Sequence, residues 1–160
     1  MNILKINCIK TTKIKNPDIL ANVIYNNFKY LYNYPELQHT VKDIIKVLQS
    51  DGNFCYLLYN DKDLIGYLVG DFRVLPDNRY GYYISYVFIS EKYRNKKLGS
   101  KLMNMLMNEC KSRGVNLIVL TCDSRDKQII SFYKKYGFKM DPNLGGNNNK
   151  IHNVYSLRLD

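Results

Sequence analysis

A β-strand that leads through a short basic loop into an amphipathic helix constrains this chain more than any other stretch. The strand is indicated by residues 83–89, which are β-branched or aromatic apart from one serine. A short basic loop, residues 94–99, follows, and the helix begins behind it at Ser100. A helix start offers unpaired N–H groups and about half a positive charge, which favours an anion. The stretch therefore predicts a phosphate-binding loop, a feature that many α/β proteins share.

The chain of 160 residues is long enough to bury a sizeable core, and we expect one domain over residues 1–160. Met1 begins a short polar–apolar alternation rather than the charged head and apolar run of a signal peptide. No stretch approaches the roughly 20 apolar residues that a membrane-spanning helix needs. These features predict a soluble, cytoplasmic protein without a membrane partner.

The net charge of the chain limits which classes of ligand it can attract. There are 24 Lys and Arg against 14 Asp and Glu, which gives a net charge of +10. Such a charge admits nucleic acid, an acidic surface or a phosphorylated ligand. The lysines are scattered among many Asn, Ile and Tyr residues without a dense basic run, a mixture typical of A/T-rich genomes. The pattern argues against nucleic acid as a partner.

The four cysteines show no pattern of metal binding. They stand far apart in apolar segments, with neither a C-x-x-C pair nor a Cys/His cluster. We interpret them as small buried apolar residues of a protein in a reducing compartment. They are Cys8, Cys55, Cys110 and Cys122.

Apolar periodicity predicts the remaining elements. Before the central strand we expect a strand at 4–8, helices behind Pro17 and Thr40, and an antiparallel hairpin of 54–59 and 64–72. After it we expect a helix ending at Gly114, a strand at 116–120, a helix over 127–136 and a last strand at 154–159. Strand 116–120 is nearly all apolar, so both its faces should be covered, and it should run parallel to the central strand. The pattern predicts an α+β domain with a mixed sheet.

Two motifs resemble those of the GNAT family of N-acetyltransferases. The first, Arg94-Asn95-Lys96-Lys97-Leu98-Gly99, is similar to the family's acetyl-CoA signature Arg/Gln-x-x-Gly-x-Gly/Ala. The second, Phe132-Tyr133-Lys134-Lys135-Tyr136-Gly137-Phe138, is similar to Phe-Tyr-x-x-x-Gly-Phe. Their order and separation fit the family, so the resemblance covers most of the chain. It implies a mostly antiparallel central sheet flanked by helices, and acetyl-CoA as cosubstrate without a metal.

The resemblance also implies how acetyl-CoA is bound. The main chain of Val87, Phe88 and Ile89 would pair with the pantetheine arm, as an added strand pairs with a sheet edge. Loop amides would hold the pyrophosphate at the helix start. These amides belong to Arg94, Asn95, Lys96, Lys97, Leu98, Gly99 and Ser100. Core packing is an alternative role for the strand residues, and a tight turn is an alternative for Gly99.

The chain departs from the family pattern at two cofactor positions. Lys97 stands where the family usually has glycine, and its ammonium, with that of Lys96, would add positive charge at the loop. Asp126 stands where the family often has an asparagine near the cofactor. A carboxylate facing phosphate would be repelled, so capping of the next helix is the favoured alternative for Asp126.

The chemistry implied by the resemblance is attack of an amine on a thioester. Tyr133 matches the tyrosine that serves as general acid, and a phenol pKa of about 10 allows it to protonate a thiolate. Packing within the helix is its alternative role. Relatives with a glutamate base carry it where this chain has Tyr83 or Ser85. The base therefore stays open among Asp71, Glu36, His39 and a water chain, with His39 interpreted as a surface residue.

The acceptor is an amine of undetermined class. The tyrosines of residues 30–34 lie where the family builds its acceptor site, although ordinary aromatic packing explains them equally well. Both motifs are similar to those of glucosamine-6-phosphate N-acetyltransferases, but the acidic pair of those enzymes is absent at Ser85 and Tyr86. A peptide amine is the other candidate. A non-catalytic acyl-CoA-binding module is the alternative function, and the family also allows a homodimer.

Overall fold

The computed structural model describes residues 6–12, 14–28, 39–145 and 151–160. Within these ranges there are seven strands and four α-helices. The strands are β1 (Ile6–Thr11), β2 (Asn53–Asn60), β3 (Asp63–Val74), β4 (Tyr80–Ile89), β5 (Leu117–Asp123), β6 (Lys139–Met140) and β7 (His152–Arg158). The helices are α1 (Pro17–Phe28), α2 (Val41–Leu48), α3 (Leu98–Ser112) and α4 (Lys127–Lys134).

The strands form one mixed sheet in the order β1-β2-β3-β4-β5-β7-β6. β1–β2, β2–β3, β5–β7 and β6–β7 are antiparallel pairs, whereas β4 and β5 are parallel. This confirms the predicted fold class, the hairpin and the parallel pair. The sequence pattern missed β6, a strand of two residues that is too short to show periodicity. Leu4, at the predicted first strand, lies outside the described residues.

The first of two compact units comprises Met1–Asp71 and Tyr86–Leu102. Its core joins α1 and α2 to the sheet through Leu20, Ala21, Ile24, Ile44, Leu48, Cys55, Tyr67, Val69 and Tyr86. Helix α1 begins with Pro17, whose fixed φ suits a first helical position. Helix α2 begins with the predicted capping box, in which Thr40 and Asp43 exchange hydrogen bonds of 3.1 and 3.0 Å.

The second compact unit comprises Phe72–Ser85 and Met103–Asp160. Leu117 to Leu120 are four consecutive buried residues, which confirms the prediction for this strand. Gly114, at φ 71°, follows the end of α3 as predicted, and its amide bonds back to the carbonyl of Lys111.

The cysteines are free thiols. Cys55, Cys110 and Cys122 are buried as predicted, whereas Cys8 is half-buried. Burial raises the pKa of Cys55 to about 11 and the pKa of Cys110 and Cys122 to about 12. These three thiols are therefore protonated at neutral pH and behave as small apolar groups.

Two features are absent from the described ranges, a membrane-spanning helix and a group of metal-ligating side chains. No helix among them is long and apolar enough to cross a membrane. The same ranges contain no group of three or more His, Cys, Asp or Glu side chains placed to hold a metal ion.

A buried carboxylate ties the loop after β3 to the last strands of the second unit. Asp141 is only 5% exposed, and it accepts hydrogen bonds from Arg79 at 2.8 Å and Ser156 at 2.6 Å. Arg79 also donates to Asp77 at 2.6 Å. Burial opposes ionisation of Asp141, but the bonds from Ser156 and Arg79 outweigh it and hold the pKa of Asp141 below its ordinary value.

Asp141→Asn should lower the free energy of unfolding by about 2 kcal/mol, because a buried charge-assisted pair is lost. The folded-state pKa of Asp141 is depressed, so its contribution is present above the ordinary carboxyl pKa and lost as pH falls through the folded pKa. Urea unfolding at neutral and acidic pH measures both effects, and the difference between native chain and variant should shrink in acid. Asp160→Asn, which removes an exposed pair with Arg158, is the control and should change little. Equal effects of the two variants would contradict this interpretation.

Candidate functional site

The end of strand β4 belongs to the first unit and carries three of the predicted cofactor-binding residues. On one side it lies close to β3, because a Cβ added at Gly66 would be 2.8 Å from the carbonyl oxygen of Phe88. The amide of Ser90 also donates to the carbonyl of Ile65 at 2.8 Å. Val87, Phe88 and Ile89 are half-buried. Their side chains thus contribute to packing, which is compatible with a binding role for the main chain.

The parallel ladder of β4 with β5, in the second unit, is short. It pairs Tyr82, Tyr83 and Ile84 with Ile118, Val119 and Leu120. Among the described pairs it ends there, although both strands continue. The hydroxyl of Tyr83, within the ladder, lies 2.6 Å from the hydroxyl of Thr121, which directly follows the last paired residue of β5.

A short 3-10 turn, Glu91–Tyr93, and an arginine fix the loop to the end of β4. Tyr93 is buried, and its hydroxyl accepts a hydrogen bond of 2.9 Å from the side-chain amide of Asn60. Arg94 donates from Nε to the carbonyl of Ile89 at 2.9 Å, and its guanidinium lies 5.7 Å from the centre of the Phe88 ring. One carbonyl of the predicted pantetheine-binding strand therefore already accepts a bond from the loop.

Two residues in the left-handed region turn the chain into α3. Asn95 and Lys97 both have φ of 62°. Without a Cβ, glycine adopts this conformation at no steric cost, which explains why the family prefers glycine at the position of Lys97. Asparagine is the other residue that tolerates it. The lysine thus keeps the backbone path of the loop while it carries a conformational cost.

Helix α3 begins at Leu98, two residues earlier than predicted. The carbonyl of Lys97 accepts the amide of Lys101 at 3.0 Å, which is the first helical hydrogen bond, and the buried side chain of Leu98 anchors the first turn. Gly99 therefore lies within a helix, and the tight-turn alternative for it is wrong. An α-helix contains no acceptor for its first amides, which here belong to Leu98, Gly99 and Ser100.

The loop presents its charged groups to solvent. Arg94, Asn95, Lys96 and Lys97 are exposed, so these side chains do not fill the turn. The ammonium of Lys96 lies 5.8 Å from the centre of the Tyr93 ring, a cation–π distance that restricts it to the loop surface. Exposed cationic groups and the first amides of α3 therefore lie together at this turn, an arrangement that favours an anion.

Asp126 and Tyr133 lie on helix α4 in the second unit. Asp126 caps this helix, since its carboxylate accepts the amide of Ile129 at 3.1 Å. This geometry supports the capping alternative. Tyr133 is buried between Phe132 and Phe138, at ring-centre distances of 5.2 and 5.4 Å. Burial, with a smaller contribution from Cys122, raises the pKa of Tyr133 far above its ordinary value, so the phenol is protonated at neutral pH.

The candidate bases are placed differently. Asp71 is buried. Ser85, one of the two positions at which the resemblance would place a glutamate base, is half-buried on β4. Glu36 and the tyrosines of residues 30–34 lie outside the described residues. His39 is exposed as predicted, but its Nδ1 lies 2.5 Å from the hydroxyl of the buried Tyr86. Sequence reasoning did not single out Tyr86, because no local signal connects residues 47 positions apart.

Comparison with known families gives one match over most of the chain. The model described as the acetyltransferase (GNAT) family matches residues 22–138. The match contains the loop motif, the Phe132–Phe138 block, and the helices and strands between them.

Three similar proteins illustrate the match. An uncharacterised N-acetyltransferase, ycf52, of Pyropia yezoensis is 28% identical over 98 residues, which cover 61% of this chain and 55% of that protein. A glucosamine 6-phosphate N-acetyltransferase of Arabidopsis thaliana is 36% identical over 55 residues, 34% of this chain and 35% of that one. The ribosomal-protein-S18-alanine N-acetyltransferase of Escherichia coli superposes with a TM-score of 0.69 at 14% identity, over 96% of this chain and 95% of that chain. The match thus spans about half of the Pyropia protein, and the solved structure shows the fold.

Lys97→Gly should raise the free energy of unfolding by about 0.5 kcal/mol, because the left-handed cost exceeds the extra entropy of glycine in the unfolded chain. Lys96→Gly removes the same charge from a residue outside the left-handed region and should destabilise by a similar amount. Urea unfolding of the two variants under identical conditions measures both values. Shifts of the same sign would mean that the conformation of Lys97 is not strained.

Proposed function

Because this chain belongs to the GNAT acetyltransferase family, we propose that it transfers an acetyl group from acetyl-CoA to a primary amine, by direct attack in a ternary complex. The observation that carries the proposal is the turn into α3. Within the matched segment, two residues in the left-handed region turn the chain into α3. The turn places exposed basic side chains next to the first amides of the helix. This arrangement suits the diphosphate of a CoA thioester.

The residues of the loop and strand fit acetyl-CoA as follows. The amides of Leu98, Gly99 and Ser100 would bind the diphosphate, and Arg94, Asn95, Lys96 and Lys97 would surround it. The main chain of Val87 and Ile89 would bind the pantetheine arm on the side away from β3, with Phe88, whose carbonyl lies close to Gly66 of β3, between them. The bound thioester supplies the acyl group. Asp126 stays the weakest member of this set, since its carboxylate is engaged in capping α4.

Tyr133 is proposed as the general acid on the basis of the Phe132–Phe138 motif. A protonated phenol can give a proton or a hydrogen bond to the departing CoA thiolate. Burial raises the pKa of Tyr133, so the phenol is a hydrogen-bond donor at physiological pH and a weaker acid than an exposed tyrosine.

Two acceptor classes have specific support. The Arabidopsis relative is named for glucosamine 6-phosphate, which favours an amino sugar, but Ser85 and Tyr86 replace the acidic pair expected for that class. The Escherichia coli structure is named for a protein alanine, which favours a peptide amine. A primary amine is the chemistry that both share.

A non-catalytic acyl-CoA-binding module is the second candidate function. Lys97 in place of glycine and the absence of a carboxylate at Tyr83 and Ser85 favour it. The two functions predict the same cofactor binding and differ only in turnover.

Release of CoA thiol from acetyl-CoA, measured with amino sugars, polyamines and peptides, separates them. Tyr133→Phe should lower turnover and leave acetyl-CoA binding unchanged if the chain is an enzyme.

Acetyl-CoA at 100 times its dissociation constant should stabilise the native chain by about 2.7 kcal/mol, measured by thermal unfolding.

Arg94→Ala should weaken acetyl-CoA binding by about tenfold or more, because it removes a charge and the bond that holds the loop to Ile89. Arg158→Ala removes an exposed arginine of the second unit and is the control. Absence of stabilisation by acetyl-CoA, or equal loss of binding in both variants, would contradict the proposed site.

A further inference from the structure

Tyr86 is a buried phenol on the strand proposed to bind the cofactor. Its side chain is 5% exposed and packs in the first unit with residues of α1 and α2, including the ring of Phe28 at 5.7 Å. Its neighbour Val87 begins the segment whose main chain is proposed to bind the pantetheine arm. A phenol in such surroundings needs a hydrogen-bond partner. Among the described residues, Nδ1 of His39 lies 2.5 Å from this hydroxyl.

His39 connects this buried hydroxyl to solvent. The residue is exposed, and its ring meets the ring of Tyr86 edge-on at 5.5 Å between centres. It directly precedes Thr40, whose capping box with Asp43 holds the start of α2. Nδ1 of His39 is thus fixed next to the hydroxyl of Tyr86, while the residue as a whole is exposed to water.

A second buried tyrosine of the same core shows that packing does not require an imidazole. Tyr67 is 1% exposed and stacks on Phe88 at 5.7 Å. Its hydroxyl accepts a hydrogen bond of 2.9 Å from the side-chain amide of Asn27. An amide satisfies a buried phenol without exchanging protons. The phenol of Tyr86, one residue from the proposed cofactor segment, instead bonds the side chain best suited to accept and release a proton.

We propose that Tyr86 and His39 form the proton relay that deprotonates the acceptor amine, with Tyr86 facing the amine and His39 linking it to solvent. The inference rests on the proposed transferase function and fills the role of base that no carboxylate of β4 can take. It assigns Tyr86 as a catalytic residue and His39 as the residue that carries its proton away.

The proton transfers of the relay balance. In the relay the hydroxyl of Tyr86 donates to Nδ1 of His39, and the imidazole carries its own proton on Nε2. The acceptor ammonium gives a proton to the oxygen of Tyr86 as the hydroxyl proton moves to Nδ1, and Nε2 releases its proton to water. The freed amine then forms the C–N bond with the acyl carbon while the C–S bond breaks. The nitrogen releases its second proton to water, while Tyr133 gives a proton to the thiolate and regains one from water. Exchange with water returns the imidazole to its starting tautomer before the next turnover.

Two variants test the relay against a merely structural role. Tyr86→Phe keeps the ring and removes the hydroxyl, and His39→Asn keeps a hydrogen-bond acceptor but cannot carry a proton. Each should lower kcat about 100-fold on the best amine of the panel, with acetyl-CoA binding unchanged. The double variant should be no slower than either single variant, because the two residues act as a unit. His39→Ala should recover part of its activity with added imidazole, since the position is exposed.

Two control variants are matched to these. Tyr67→Phe removes the hydroxyl of the other buried tyrosine, and Thr40→Ala disturbs the start of α2 next to His39 without removing the imidazole. Both should lower stability and leave kcat within about twofold. Full kcat in Tyr86→Phe or His39→Asn, or an equal loss of kcat in the controls, would overturn the relay alone. A native chain that binds acetyl-CoA but acetylates no amine would overturn the proposed function and the relay with it.

Discussion

The turn between β4 and α3 is held in a conformation that costs free energy, and the proposed anion-binding surface depends on this conformation. Asn95 and Lys97 both occupy the left-handed region, which asparagine tolerates and which costs roughly 1–2 kcal/mol for a residue such as lysine. A strained conformation of this kind persists only where the surrounding structure maintains it. Here the buried Tyr93 and Leu98 anchor the two sides of the turn, and Arg94 joins the loop to the end of the strand. The free amides of α3 are placed by these contacts.

Much of the fold could be predicted from the sequence because its signals are local. The capping box at Thr40 and Asp43, the stop at Gly114 and the apolar run in β5 each depend on residues a few positions apart, and all three are present. The start of α3 was predicted two residues too late. Glycine is a poor helix former, so the pattern assigned Gly99 to the loop. In the structure the bond from Lys101 to the carbonyl of Lys97 and the burial of Leu98 outweigh that preference.

The candidate site was only partly predictable, because parts of it depend on distant contacts. Motif matching singled out the loop and Tyr133 as candidates, and capping rules predicted the bond that Asp126 makes at the start of α4. The bond between His39 and Tyr86 had no signal, since a helix, a hairpin and half of β4 separate the two residues. The left-handed conformation of Lys97 was also hidden, because lysine rarely adopts it.

The central claim is that the first amides of α3 and the end of β4 bind one CoA thioester. Titration of the ¹⁵N-labelled chain with acetyl-CoA, followed by amide chemical shifts, tests it most directly. The account predicts that the amides of Leu98, Gly99 and Ser100 shift most, that those of Val87 and Ile89 shift with the same dissociation constant, and that the amides of β1 stay unchanged. Saturable shifts confined to other segments, with these five amides unaffected, would contradict the account.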